Sequence, residues 1–185
     1  MVRDVLNETE EKMKGVIAAT KRDFSTIRTG RANPAILDRV SVNYYGTPTP
    51  IAQLATISVP EPRLITIQPW DRSSLKDVEK ALLQSDLGLT PSNDGQMIRL
   101  AIPPLTEERR KDLVRLVRKE AEDKRIAIRN IRREANERLK AMQKDGKLPE
   151  DEGKRGEKQI QELTDRYVKE VDTLLETKEE EIMEV

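Results

Sequence analysis

Residues 106–143 read TEERRKDLVRLVRKEAEDKRIAIRNIRREANERLKAMQ, and this stretch decides the fold. Leu113, Val117, Ala121, Ile128, Ile131, Ala135, Leu139 and Met142 recur every three or four positions, the period of one face of an α-helix. Lys124 interrupts the line. A helix this long with so narrow a stripe needs partners of similar build, and the chain supplies two. Val2, Val5, Leu6, Met13, Val16, Ile17, Phe24 and Ile27 mark a first helix, and Ile160, Leu163, Tyr167, Val171, Leu174 and Ile182 mark a third. Slender amphipathic helices with charged outer faces meet along seams near the 3.5-residue repeat. The expectation is an elongated antiparallel three-helix bundle, with Asp145-Gly146-Lys147-Leu148-Pro149 as the turn between its last two helices.

Between the first and second stripes the pattern changes. Nine of the ten prolines fall between residues 31 and 105, together with Tyr44, Tyr45 and Trp70, so long helices are excluded there. Short β-branched runs replace them at Val40–Tyr45, Leu54–Val59, Leu64–Ile67 and Met97–Ile102, separated by turns at Gly46-Thr47-Pro48 and Asn93-Asp94-Gly95. Ser74–Ser85 reads as the one helix, with Ser74 and Asp77 as a capping box. Trp70 and the Tyr44-Tyr45 pair are expected in this segment's core, with a partner-contact patch as the alternative. The reading is α+β in two domains: a discontinuous bundle of residues 1–30 plus 105–185, and an inserted β/α/β domain of residues 31–104. Gly30 at the entry and Pro103-Pro104 at the exit are the hinge candidates.

Composition narrows the function. The 185 residues hold 34 Lys+Arg and 34 Asp+Glu but no His and no Cys, which removes thiol chemistry and the commonest general base and metal ligand. Asp71, Ser73 and Asp86 have no base positioned to activate a nucleophile, so no enzyme activity, cofactor or metal is expected. Gly153-Lys154 resembles the end of a phosphate-binding loop, but no Gly stands at 148 and Arg155 replaces the Ser/Thr, so a solvated helix start is expected. Glu150-Asp151-Glu152 suits a helix N-terminus. No apolar run is long enough to span a membrane, and the N-terminus lacks a signal peptide's apolar core. A cytoplasmic monomer is expected.

The zero net charge hides an asymmetry. Residues 106–140 carry +5 and residues 141–185 carry −6. At about 100° per residue, Arg110, Arg118, Arg125, Arg129 and Arg132 share an arc of the second bundle helix about 33 Å long, with Arg133 just beyond it. Acidic residues of the same helix lie mainly off this ridge, and only Glu122 comes near its edge. An unneutralised arginine ridge suits phosphates, and the absence of an aromatic residue on it favours RNA shape over base stacking. The bland alternative is a solvated face that pairs with the acidic third helix.

Specific strings then fall into line: Ile27-Arg28-Thr29-Gly30-Arg31-Ala32-Asn33-Pro34, Tyr44-Tyr45-Gly46-Thr47-Pro48-Thr49-Pro50, Ser85-Asp86-Leu87-Gly88-Leu89, Pro103-Pro104-Leu105-Thr106-Glu107-Glu108-Arg109-Arg110-Lys111 and Ala127-Ile128-Arg129-Asn130-Ile131-Arg132-Arg133. In this order and spacing the chain resembles bacterial ribosome recycling factors along essentially its whole length. Thr90 departs from the Asn expected before Pro91. The resemblance implies an L-shaped molecule of roughly transfer-RNA dimensions that binds the large ribosomal subunit after termination, its bundle against 23S ribosomal RNA. Elongation factor G with GTP would then drive the subunits apart, and initiation factor 3 would keep them apart. It singles out Arg132, then Arg129 and Arg110, with Arg28 and Arg31 as supporting RNA contacts. A helical adaptor or chaperone-like module is the competing reading, and it would need an exposed apolar groove.

Overall fold

The computed structural model describes residues 1–184. Its element order is α1 (Val2–Ser25), β1 (Ser41–Tyr44), β2 (Thr47–Pro50), β3 (Ala55–Glu61), β4 (Leu64–Pro69), α2 (Leu75–Gln84), β5 (Pro91–Asn93), β6 (Ile98–Ala101), α3 (Glu107–Lys144) and α4 (Glu150–Met183). The described residues divide into two compact units, one of Met1–Arg28 with Glu107–Glu184 and one of Thr29–Thr106.

The first unit is three long helices. Cross-links fix their directions: Arg138 meets Glu8 and Lys124 meets Asp23, so α3 runs antiparallel to α1, while Arg118 meets Glu179 and Arg125 meets Asp172, so α4 runs antiparallel to α3. The stripes are buried as their spacing requires, with Met13, Val117, Ile128, Leu139, Ile160, Val171 and Ile182 almost fully enclosed. Lys124, the break in the α3 stripe, reaches Asp23 at 2.8 Å. Thr9, Thr20 and Thr164 are also buried, which their polarity conceals. Each donates its hydroxyl to the carbonyl four residues back, at 2.6–2.8 Å, and so enters the core without an unpaired donor.

Gly146 closes α3 in the left-handed conformation (φ +72°). Its N–H donates to the Gln143 carbonyl and the Lys147 N–H to that of Met142, which satisfies two terminal carbonyls and turns the chain toward buried Leu148. Gly153 is no solvated helix start. It and Gly156 are buried on the face of α4 that meets α3. A Cβ on Gly156 would lie 2.9 Å from Leu139 Cδ1 and 3.2 Å from Val2 Cγ1, both inside the packed core. A Cβ on Gly153 would come within 2.5 Å of the end of the half-buried Gln143 side chain, which can swing aside at the loss of its 3.3 Å bond to the Glu150 carbonyl.

In the second unit β1 and β2 form a hairpin, and four antiparallel strands are ordered β3-β4-β6-β5. Helix α2 contributes Leu75, Val78 and Leu82 to a core with Ile65, Ile67, Ile98 and Leu100, joined by Leu37, Val42, Ile51 and Leu54. Two strands escape the sequence reading, β2 and β5, because both contain proline. Each is an edge strand, where a missing N–H costs no ladder bond. The hairpin turn falls one residue earlier than expected, at Tyr45-Gly46, with both residues at positive φ.

Two further expectations are overturned. Ser74 has helical φ/ψ and no capping bond; Asp71 does this work by accepting from the N–H and hydroxyl of Ser73, contacts that hold its carboxyl below its ordinary pKa. The aromatic residues are not the core, since Tyr45 is 82% and Trp70 66% exposed while Tyr44 only flanks it. The aliphatic residues already fill the space between α2 and the sheet, and Trp70 lies outside with its Nε1 donating to Thr56 Oγ1.

Gly153→Ala is expected to raise thermal stability by up to about 1 kcal/mol through helix propensity. Gly156→Ala should lose that gain to displacement of Leu139 and melt below Gly153→Ala. A second expectation concerns alkali. Tyr167, which joins α4 to Glu10 of α1 at 2.8 Å, has its pKa pushed up to about 12 by burial and then by the hydrogen bond to Glu10 and its negative charge. A raised native pKa favours the protonated fold, so this contribution is complete below the ordinary tyrosine value of 10.0 and is lost as pH rises toward about 12. Urea midpoints measured across that window should fall more steeply for the wild type than for Tyr167→Phe.

Candidate RNA-binding face

Helix α3 displays the arginines, but α4 decides which are available. Arg118 pairs with Glu179 through its Nε. One heptad further along α3, and one heptad back along α4, Arg125 places Nε 2.7 Å and Nη2 2.6 Å from Asp172 Oδ1, while its Nη1 is 3.0 Å from Glu122. Burial works against the Arg125 charge, yet the bonds and attraction from Asp172 and Glu122 outweigh it and hold its pKa above the ordinary arginine value. Arg118 is raised likewise by Glu179.

The next heptad step would match Arg132 with Asp165. That carboxylate is instead occupied by the Gln161 amide, which donates to it at 2.8 Å while its Oε1 accepts from Arg132 at 3.4 Å. A neutral amide therefore stands between cation and anion, and Arg132 has no ion pair among the described residues. Arg133, exposed, donates to the Asn130 side chain at 3.1 Å and has no ion pair among the described residues. Arg129 lies 3.7 Å from Glu122, a carboxylate it shares with Arg125. Half-buried Arg110 holds its Nε enclosed without a partner.

The ridge is therefore not uniformly unneutralised. Arg118 and Arg125 belong to the α3–α4 seam, because the acidic charge of α4 is registered against them. Glu122 is no bystander, since it serves two arginines. Among the described residues Arg132 and Arg133 form no ion pair, Arg129 beside them has only the long 3.7 Å approach to a shared carboxylate, and Arg110 lies apart at the other end. Arg28 is exposed beyond the end of α1 and Arg31 belongs to the second unit, so neither is a residue of α3. Glu179, Asp172 and Gln161 are the residues that reasoning from α3 alone misses. The seven-residue spacing of Glu179, Asp172 and Asp165 against Arg118, Arg125 and Arg132 in an antiparallel register is the signal that would have found the first two, with Gln161 one helical turn before Asp165.

The ribosome recycling factor family model matches residues 20–183. The chain belongs to the ribosome recycling factor family. Ribosome-recycling factors of Carboxydothermus hydrogenoformans and Brevibacillus brevis are each 57% identical over all 185 residues, covering 100% of both chains. That of Pelotomaculum thermopropionicum is 58% identical over the same span. A solution structure of the ribosome recycling factor superposes with TM-score 0.74 at 43% identity, covering 100% of this chain and 98% of the other. A second match has TM-score 0.63 at 48% identity, with full coverage of both chains. It is described as models for the T. thermophilus ribosome recycling factor and the E. coli elongation factor G bound to the E. coli post-termination complex. Both matches run along the helical bundle and the small sheet domain of this chain.

Removing charges along α3 should separate two kinds of arginine. Arg125→Ala is expected to cost about 1 kcal/mol in urea unfolding, because it strips Asp172 and Glu122 of their shared cation at a site only 19% exposed. Arg132→Ala should cost less than about 0.5 kcal/mol, since its one protein bond is long and made to a neutral amide.

Proposed function

We propose that this chain binds the post-termination ribosome on its large subunit, with the open arginines of α3 against phosphates of 23S ribosomal RNA. With elongation factor G and GTP it then splits the ribosome into subunits, and initiation factor 3 acts downstream of that step. The observation that carries this reading is the full-length identity to ribosome-recycling factors, one of whose relatives is described together with elongation factor G on a post-termination complex.

The physical part of the reading falls to Arg132, with Arg129 and Arg133 beside it and Arg110 further along. A guanidinium with no carboxylate partner loses little on meeting a phosphate, whereas Arg118 or Arg125 would first have to leave Glu179 or Asp172. Arg28 and Arg31 are supporting contacts in this scheme. Gly30 and Pro103-Pro104 serve as the hinge. Gly30 has φ +78°, and a Cβ there would lie 3.2 Å from Leu105 Cγ, so conformation and space both call for glycine. The chain contributes binding and position, while the free energy comes from the GTPase. Among the described residues no helix is long and apolar enough to cross a membrane.

Co-sedimentation with purified large subunits over a salt series tests this. Wild-type affinity should fall with salt, each neutralised phosphate adding up to ~0.9 to the log-log slope. Arg132→Ala should bind about tenfold or more weakly with a shallower slope, and Arg118→Ala should stay near wild type. Salt-independent binding, or equal losses in both variants, would overturn the assignment.

A further inference from the structure

The hairpin of the small domain has two edges with opposite character. Its two-residue turn at Tyr45-Gly46 makes Tyr44↔Thr47 the closing hydrogen-bonded pair, and antiparallel alternation makes Val42↔Thr49 the next. The intervening pairs, Asn43↔Pro48 and Ser41↔Pro50, make no cross-strand N–H bond, which is why two prolines fit in one four-residue strand. In β2 the outward positions are thus prolines with no N–H to offer, and that edge is closed to further pairing. In β1 the outward positions are Ser41 and Asn43, which keep both N–H and C=O. No other strand pairs with that edge, and no backbone group among the described residues bonds to either residue there.

Beside this edge lies a cleft of about 390 Å³ between β1 and α2, lined by Arg39, Ser41, Asn43, Asp77, Lys80 and Gln84 among others. Its size falls in the range of sites that hold a ligand segment. Arg39 and Lys80 are exposed and form no ion pair among the described residues; Asp77 is the one carboxylate in the lining, and exposed Asp38 precedes Arg39 in the chain.

We propose that the outer edge of β1 is a strand-addition site for an extended acidic peptide, which enters the cleft between β1 and α2. The peptide backbone pairs with the N–H and C=O of Ser41 and Asn43, and its acidic side chains, on alternate residues, meet Arg39 and Lys80. The hydrogen-bonding row selects a peptide over a nucleic acid. Ser41 and Asn43 present donors and acceptors in alternation, whereas a phosphodiester only accepts and would leave both carbonyls facing negative oxygens. The site stands independently of the arginine face on α3.

Amide hydrogen exchange on the full chain tests the proposal, with acetyl-TEVEVT-amide as probe and acetyl-TKVKVT-amide and hexauridylate as controls. In the free protein the amides of Ser41 and Asn43 should exchange rapidly while those of Val42 and Tyr44 are protected. The acidic peptide at saturation should slow Ser41 and Asn43 about tenfold or more. Asn43→Pro removes only an outward donor, so it should abolish this effect while Val42 stays protected. Lys80→Glu, which leaves the backbone untouched, should weaken the peptide and serves even if Asn43→Pro misfolds. The proposal is overturned if the acidic peptide gives no slowing, if the lysine peptide or hexauridylate protects these amides equally, or if Lys80→Glu binds unchanged.

Discussion

The α3–α4 seam steps by seven residues on both helices, and most of the bundle's charge arrangement follows from that register. Arg118 with Glu179 and Arg125 with Asp172 occupy successive steps and hold two long helices in one alignment. On the side of α3 that faces α4, an arginine is paired across the seam where α4 sets a carboxylate at the same step, as at Arg118 and Arg125. At the third step the match lapses because Gln161 takes the carboxylate of Asp165. One amide at one position separates the arginines that hold the fold from those free to hold something else.

The bundle was legible because its stripes are long and regular. Val117, Ile128, Leu139, Ile160 and Val171 sit in the core where their spacing puts them. Thr9, Thr20 and Thr164 were not legible as core, since hydropathy counts a hydroxyl as polar and cannot see the carbonyl four residues back that receives it. The small domain was harder to read because proline carries two messages. It bars a residue from a central ladder, yet it suits an edge, and only topology says which strand is an edge. The aromatic residues misled for a related reason. A β/α layer already filled by Ile, Leu and Val has no room for Trp70 or Tyr45, and the fullness of a core cannot be counted from one segment.

The face on α3 was located from sequence but not resolved. A helical wheel ranks residues by angle on their own helix, and by that measure Arg118, Arg125 and Arg132 are equivalent. They become different only against a second helix whose register is set by the Gly146 turn and by the close approach at Gly156. Backbone features with no charge of their own thus decide which cations are exposed.

The bundle is also discontinuous: α1 precedes the whole small domain, and the helices that cover its stripe come after it. During synthesis the segment Thr29–Thr106 is complete, with every strand partner it needs, before α3 begins to emerge. At about 5–20 residues per second, Val5, Met13, Ile17 and Phe24 wait several seconds or more without cover. Ten of the 24 residues of α1 are charged, and charge interspersed among exposed apolar positions opposes association. In a chain built this way, surface charge on the first helix is a requirement of being made, and it applies before there is any bundle to stabilise.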